Sequence, residues 1–217
     1  ARGYILAELD HDDLLVPWCA EDLHKAAQKH PECGFFYNDT LEVDERWNSL
    51  TYPEGFALGY GSYREETYGD KVFKVANQHN INPKTIRHIV GVPNHVRAWR
   101  RTTYLEIGGH NRGLTIADDY ELVVRTFLHT KLCKIPKLGY VQFIYDNEQG
   151  TNTHNLSRAD IQRRVRTIAD KYNEQIKARF EELGLHDWAY EGNPDYPIST
   201  PSRFGEDEQA ANIVYEE

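Results

Sequence analysis

Three short stretches of the chain carry side chains able to do chemistry. The first is LDHDD, residues 9–13, in which Asp10 and Asp12 flank one residue and Asp13 follows directly. Carboxylates crowded on one loop repel each other unless a cation lies among them, and hard divalent ions such as Mg²⁺ or Mn²⁺ take oxygen ligands. A solvated acidic turn is the plainer reading of an isolated Asp-x-Asp. The second stretch is ADDYELVVR, residues 117–125, which sets Asp118 and Asp119 at the start of a helical pattern. A helix N-terminus favours anions, so helix capping alone can explain the pair. The chemical reading is a general base, since an ionised carboxylate takes a proton from any attacking hydroxyl within hydrogen-bond reach. The third is TNTHNLSR, residues 151–158, with His154 and Arg158 in a polar loop. Imidazole ligates transition metals and guanidinium binds phosphate oxygens in pairs. A lone loop histidine is more often simply solvated.

The elements that must position these residues can be read from periodicity. Residues 4–9 (YILAEL) form a short apolar run that empties into the acidic loop, as a buried strand does. Pro17 suits the first turn of a helix, whose apolar face continues through Leu23, Ala26 and Ala27 until His30 and Pro31 stop it. Residues 34–43 (GFFYNDTLEV) read as the next strand, completing a strand, helix, strand unit of the kind that builds a parallel sheet. Residues 44–82 read as irregular with a short hairpin, 88–99 as extended, and 102–107 as a short helix broken by Gly108 and Gly109. Residues 118–130 are a strong helix, and 132–135 and 140–145 are two strands flanking a Pro-Gly turn. Ser157 can cap a long helix in which Ile161, Val165, Ile168, Tyr172, Ile176, Phe180 and Leu183 form a packing stripe. After Gly184 the tail has no periodicity and is expected to wrap the body or fray.

Composition narrows the partners. Acidic residues outnumber basic ones 34 to 25, for a net charge of -9, which is not the basic footprint of a nucleic-acid binder. No apolar run approaches the roughly 18 residues that cross a bilayer, so the expectation is a cytoplasmic chain without a transmembrane segment. Peripheral membrane association of the full-length protein is compatible with that. Cys19, Cys33 and Cys133 form no CxxC pair and suit burial as small apolar residues. The chain contains no methionine, and residues 1–3 run straight into an apolar strand, so a truncated product is expected.

These motifs, taken in order, resemble family 2 glycosyltransferases of the GT-A fold over about the first 158 residues. ARGYILAELDHDDLLVP is similar to the family's strand and DxD loop, and HPECGFFYND to the strand after its first long helix. RRTTYLEIGGHNRGLTIADDYELVVR resembles its acceptor-side helix, double glycine and acidic base motif. LCKIPKLGYVQFIY and TNTHNLSR resemble its closing strands and polar loop. The resemblance implies an α/β fold of the GT-A, Rossmann-like type. Its mixed sheet would be flanked by helices and lack the first nucleotide-binding strands. Residues 1–155 would then be the C-terminal part of the catalytic domain, and 156–217 a long helix and tail.

By the same resemblance, Asp12, Asp10 and His154 would hold Mn²⁺ or Mg²⁺, with Asp10 near the ribose or the metal shell and Asp13 supporting the loop. Arg158 would lie near the diphosphate. Asp119 would be the base, while Asp118 falls where the family often has Glu and stays a second candidate. The implied activity is inverting transfer from a nucleotide sugar to a hydroxyl of a glycan or other acceptor. Two features depart from the pattern: His110 and Asn111 follow the double glycine where the family has an aromatic and then an acidic or amide residue, and residues 47–83 form a long insertion. Trp47, Tyr52, Tyr60 and Tyr63 in that region could stack on sugar faces, with loop packing the plainer reading. Two other functions fit parts of the pattern. A sugar-binding or assembly subunit of the same fold needs no turnover. A haloacid-dehalogenase-type phosphohydrolase would use Asp10 as nucleophile, but wants Thr or Val where this chain has Leu14.

Overall fold

The computed structural model describes residues 1–89, 91–145, 158–189 and 210–216. Its organising element is strand β3 (Cys33–Val43), eleven residues rich in aromatic and β-branched side chains and buried along almost its whole length. A strand buried on both faces needs layers on both sides of its sheet, and alternation along β3 supplies them. Phe35 and Tyr37, with Trp99 of β6 (Arg97–Arg100), pack against α4 (Asp118–His129) and α5 (Arg158–Glu182). Phe36, with Ala98 of β6, packs on the other side with Cys19, Leu23, Ala26 and Ala27 of α1 (Cys19–Lys29). The result is a mixed α/β architecture with helices on both faces of the sheet.

The sheet path runs β1 (Ile5–Ala7), β6, β3, β5 (Lys71–Ala76), β4 (Tyr63–Tyr68). Strand β7 (Lys131–Phe143) pairs in parallel with β3, and also joins β2 (Leu14–Leu15) and β8 (Asn212–Val214). The parallel unit expected between residues 4–9 and 34–43 is therefore corrected. Strands β1 and β3 run the same way, but β6 lies between them, antiparallel to both.

The two strands expected around a Pro-Gly turn are one strand, β7. Its register against β3 steps from Ile135–Asn38 to Leu138–Asp39 and then to Tyr140–Thr40. Pro136, which has no N–H to donate, falls among the skipped residues, so a bulge absorbs what a turn was expected to do. The step also switches faces: beyond it Leu41 and Val43, odd-numbered like Phe35 and Tyr37, join the α1 side.

Helix α1 begins two residues after Pro17, and its apolar residues recur at helical spacing with Glu21 and Asp22 in the first turn. Residues 88–99 are extended only at their end, because α2 (Thr85–His88) and a bent segment precede β6. The hairpin in the insertion is β4–β5. The short helix α3 (Arg101–Glu106) ends at Gly108 and Gly109, whose φ values of 81° and 64° few other residues adopt. The expected stripe on α5 is buried at Ile161, Val165, Ile168, Ile176 and Phe180. The tail is not wholly irregular, since β8 adds to the sheet. All three cysteines are buried and free. No helix among the described residues is long and apolar enough to cross a membrane.

Candidate active site

Pairing of β1 with β6 places the last residues of one beside the first residues of the other, with Ala7 opposite Ala98 and the Glu8 amide donating to the Arg97 carbonyl at 2.9 Å. Glu8 therefore leaves the strand directly over Arg97. The Arg97 guanidinium is buried and donates from Nε to Glu8 Oε2 at 2.6 Å and from Nη1 to Asp119 Oδ2 at 2.9 Å. Its Nη2 faces His95 Nε2 at 3.0 Å. Arginine only donates, so that nitrogen accepts and His95 is neutral. Burial, and then the charge of Arg97, lowers its pKa to about 4.

The same His95 nitrogen lies 3.7 Å from Asp10 Oδ2, and the His95 ring stacks on Tyr140 of β7 with centroids 4.9 Å apart. Tyr140 accepts from the Asp10 amide at 3.1 Å and donates to Asp13 Oδ2 at 2.8 Å, while the Phe143 amide donates to Asp13 Oδ1 at 2.8 Å. Asp13 is thus buried and ties the acidic loop to β7. Burial raises its pKa and these donors only partly offset that. Asp10 and Asp12 stay accessible, with side chains 54% and 26% exposed. His11 approaches Asp12 at 3.6 Å.

On the opposite wall, helix α4 starts at Asp118 after Ala117, a residue in the left-handed region at φ 59°. Asp119 accepts from Arg97 and, through Oδ1, from the Tyr120 amide at 2.7 Å. Burial pushes its pKa up, but Arg97 and the Tyr120 amide more than reverse this, and it ends below the ordinary carboxylate range. Asp118 turns the other way and meets His110 Nδ1 at 3.0 Å, and His110 Nε2 meets Glu8 Oε1 at 2.8 Å. The loop carrying Asp10, the strand carrying Arg97 and the helix carrying Asp118 and Asp119 thus meet at one hub, with Glu8 at its centre.

His154 lies outside the described residues. Arg158 opens α5, and its side chain lies outside them too. Among the described residues no group of three or more His, Cys, Asp or Glu side chains is arranged to hold a metal ion. Of the four aromatics considered for sugar stacking, Trp47 packs against Tyr68, Phe73 and Phe143. Tyr52 and Tyr63 each stack with Phe56, Tyr52 staying largely exposed, and Tyr60 lies under Lys84.

Glu8, His95 and Arg97 were not singled out from sequence. A signal existed for two of them. Glu8 is a charge ending an apolar strand two residues before Asp10, and Arg97 is a charge within the run HVRAWR, which otherwise reads as a core strand. The chain matches no protein-family model and none of the curated proteins.

Proposed function

We propose that this chain carries the catalytic site of an inverting glycosyltransferase of the GT-A type, similar to family 2. The observation that carries the reading is the hub itself. It sets an accessible acidic loop, whose Asp10 carboxylate lies 3.7 Å from His95, beside an ionised carboxylate at a helix N-terminus that Arg97 holds. Open α/β sheets gather ligand sites where strands end and loops begin, and Asp10 follows β1 in that position.

In this reading Asp119 is the general base. Its Arg97 partner keeps it ionised at neutral pH. Its side chain is 35% exposed, and each oxygen accepts only one hydrogen bond here, so a lone pair remains for an incoming hydroxyl. As Asp119 takes the proton, the acceptor oxygen forms a bond to the anomeric carbon and the bond to the diphosphate oxygen breaks, its electron pair leaving with the diphosphate. Holding both partners in line is the main task of the site.

The donor set around Asp10 and Asp12 is two accessible carboxylates, which fits Mg²⁺ or Mn²⁺ shared with phosphate oxygens better than an ion caged by protein alone. Asp12 and Asp10 would hold such an ion, and the resemblance adds His154 as a third ligand and sets Arg158 near the diphosphate. When bound, the ion offsets charge on the leaving diphosphate. The site is strongly acidic without it, as Glu8, Asp10, Asp12, Asp13, Asp118 and Asp119 outnumber the cations Arg97 and His110.

Calorimetry with a nucleotide sugar and Mn²⁺ tests the donor half of this reading. Asp12→Asn is expected to abolish metal-dependent binding. Undiminished affinity after that change would exclude Asp12 as a ligand.

A further inference from the structure

His110 stands where the double-glycine motif runs into the approach to α4, and the base role given to Asp119 does not use it. Its two ring nitrogens face two different carboxylates: Nε2 is 2.8 Å from Glu8 Oε1, and Nδ1 is 3.0 Å from Asp118 Oδ2. Ionised carboxylates only accept hydrogen bonds, and a neutral imidazole has a single N–H. Both contacts can be hydrogen bonds at once only when the ring carries two protons. In the neutral ring one nitrogen would turn a lone pair toward an anion, and that contact becomes repulsive.

The groups around His110 point the same way. Glu8 faces it from the end of β1 and Asp118 from α4, and the Tyr104 ring of α3 lies 6.3 Å away. Of the cations nearby, Arg97 is held on the far oxygen of Glu8, and Arg125 of α4 donates to the Gly109 carbonyl beside His110. The hydrogen bond to Glu8, then the one to Asp118, raise the His110 pKa above the ordinary histidine value against a smaller opposing effect of burial.

We propose that His110, as an imidazolium bridging Glu8 and Asp118, is a positioning residue that fixes the N-terminus of α4 against the end of β1, and that its deprotonation releases the base helix and switches transfer off. Asp118 then holds the helix while Asp119, its neighbour, does the proton transfer. The assignment of the switched reaction rests on the glycosyltransferase reading, whereas the bridge itself does not.

The test uses the intact protein in three forms. In the wild type kcat is expected to fall on the alkaline side through the His110 pKa, with the donor KM little changed, because the bridge orients the base and does not hold the donor. His110→Arg presents several fixed N–H groups that never deprotonate in this range and is expected to keep activity there. His110→Gln is uncharged and carries both its N–H groups on one nitrogen, and is expected to lower kcat by about tenfold at every pH, without the histidine limb. An alkaline limb in His110→Arg identical to that of the wild type overturns the switch.

Imidazole nitrogen NMR gives a reading independent of turnover. Two protonated ring nitrogens are expected above the pH at which an ordinary histidine is neutral, with the Asp118 and Asp119 amide signals moving along the same titration. A singly protonated ring at neutral pH, or amide signals indifferent to it, overturns the bridge. Absence of transfer from every nucleotide sugar in the wild type would instead sink the glycosyltransferase reading, while these spectra still decide the role of His110.

Discussion

A guanidinium buried between two acids, as Arg97 is between Glu8 and Asp119, leaves Asp119 without its ion-pair partner and Glu8 with His110 alone when it is removed. Breaking a buried ion pair from one side costs about 3–5 kcal/mol, and the partial exposure of Asp119 puts this case near the lower end. Arg97→Met is therefore expected to destabilise the fold by about 3 kcal/mol in urea unfolding. A loss below about 1 kcal/mol, the scale of a surface pair, would mean that the hub contributes little to folding.

The pH dependence has two limbs of opposite origin. Burial alone would raise the Glu8 pKa, but the His110 hydrogen bond and Arg97 leave it lowered, and Asp119 is lowered as well. Groups with lowered folded-state values stabilise the fold above their ordinary pKa, and that contribution is lost as pH falls through the folded values. His110 is raised, so its contribution is complete below the ordinary histidine pKa and fades as pH rises through the folded value. Melting temperature followed across pH should show the acid limb shrinking in Glu8→Gln. An unchanged limb would place acid sensitivity elsewhere in the chain.

At the scale of elements, close backbone approach is what lets β7 run past β3 at its bulge. A Cβ at Gly139 would run into the Asn38 side chain, whose Cα is fixed by the parallel pairing. Overpacking of this kind costs about 1–3 kcal/mol, so Gly139→Ala is expected to destabilise within that range in denaturant unfolding. A neutral effect would show that Asn38 has room to move.

This bulge was also the element least legible in the sequence. Pro136 and Gly139 read as a turn, because the residues alone do not reveal that β3 provides a partner strand across the break. Helices α1, α4 and α5 were legible, because their apolar residues repeat at helical spacing and charged or glycine residues mark their ends. The antiparallel β6 between β1 and β3 was not, since strand order depends on contacts far apart in sequence. The acids of the site announced themselves as clusters. Their partners did not: Glu8, His95 and Arg97 are single charges or imidazoles within apolar or mixed runs, and only β1–β6 pairing shows that they meet.

For the whole molecule, the mixed sheet with α1 on one face and α4 and α5 on the other supplies a rigid frame whose carboxylates gather where β1, β6 and α4 converge. If Asp119 acts only as the base, Asp119→Asn should leave donor affinity nearly intact while kcat falls by about 10²–10⁴. Comparable losses in both would assign it a binding role.

The central claim, in-line transfer with Asp119 as base, is tested most directly by the anomeric configuration of the first product. Attack in line with the departing diphosphate inverts the anomeric carbon. Proton NMR of the product formed by the intact protein from an α-linked nucleotide sugar is therefore expected to show a β linkage. A product that retains the α configuration would contradict the account and the role given to Asp119.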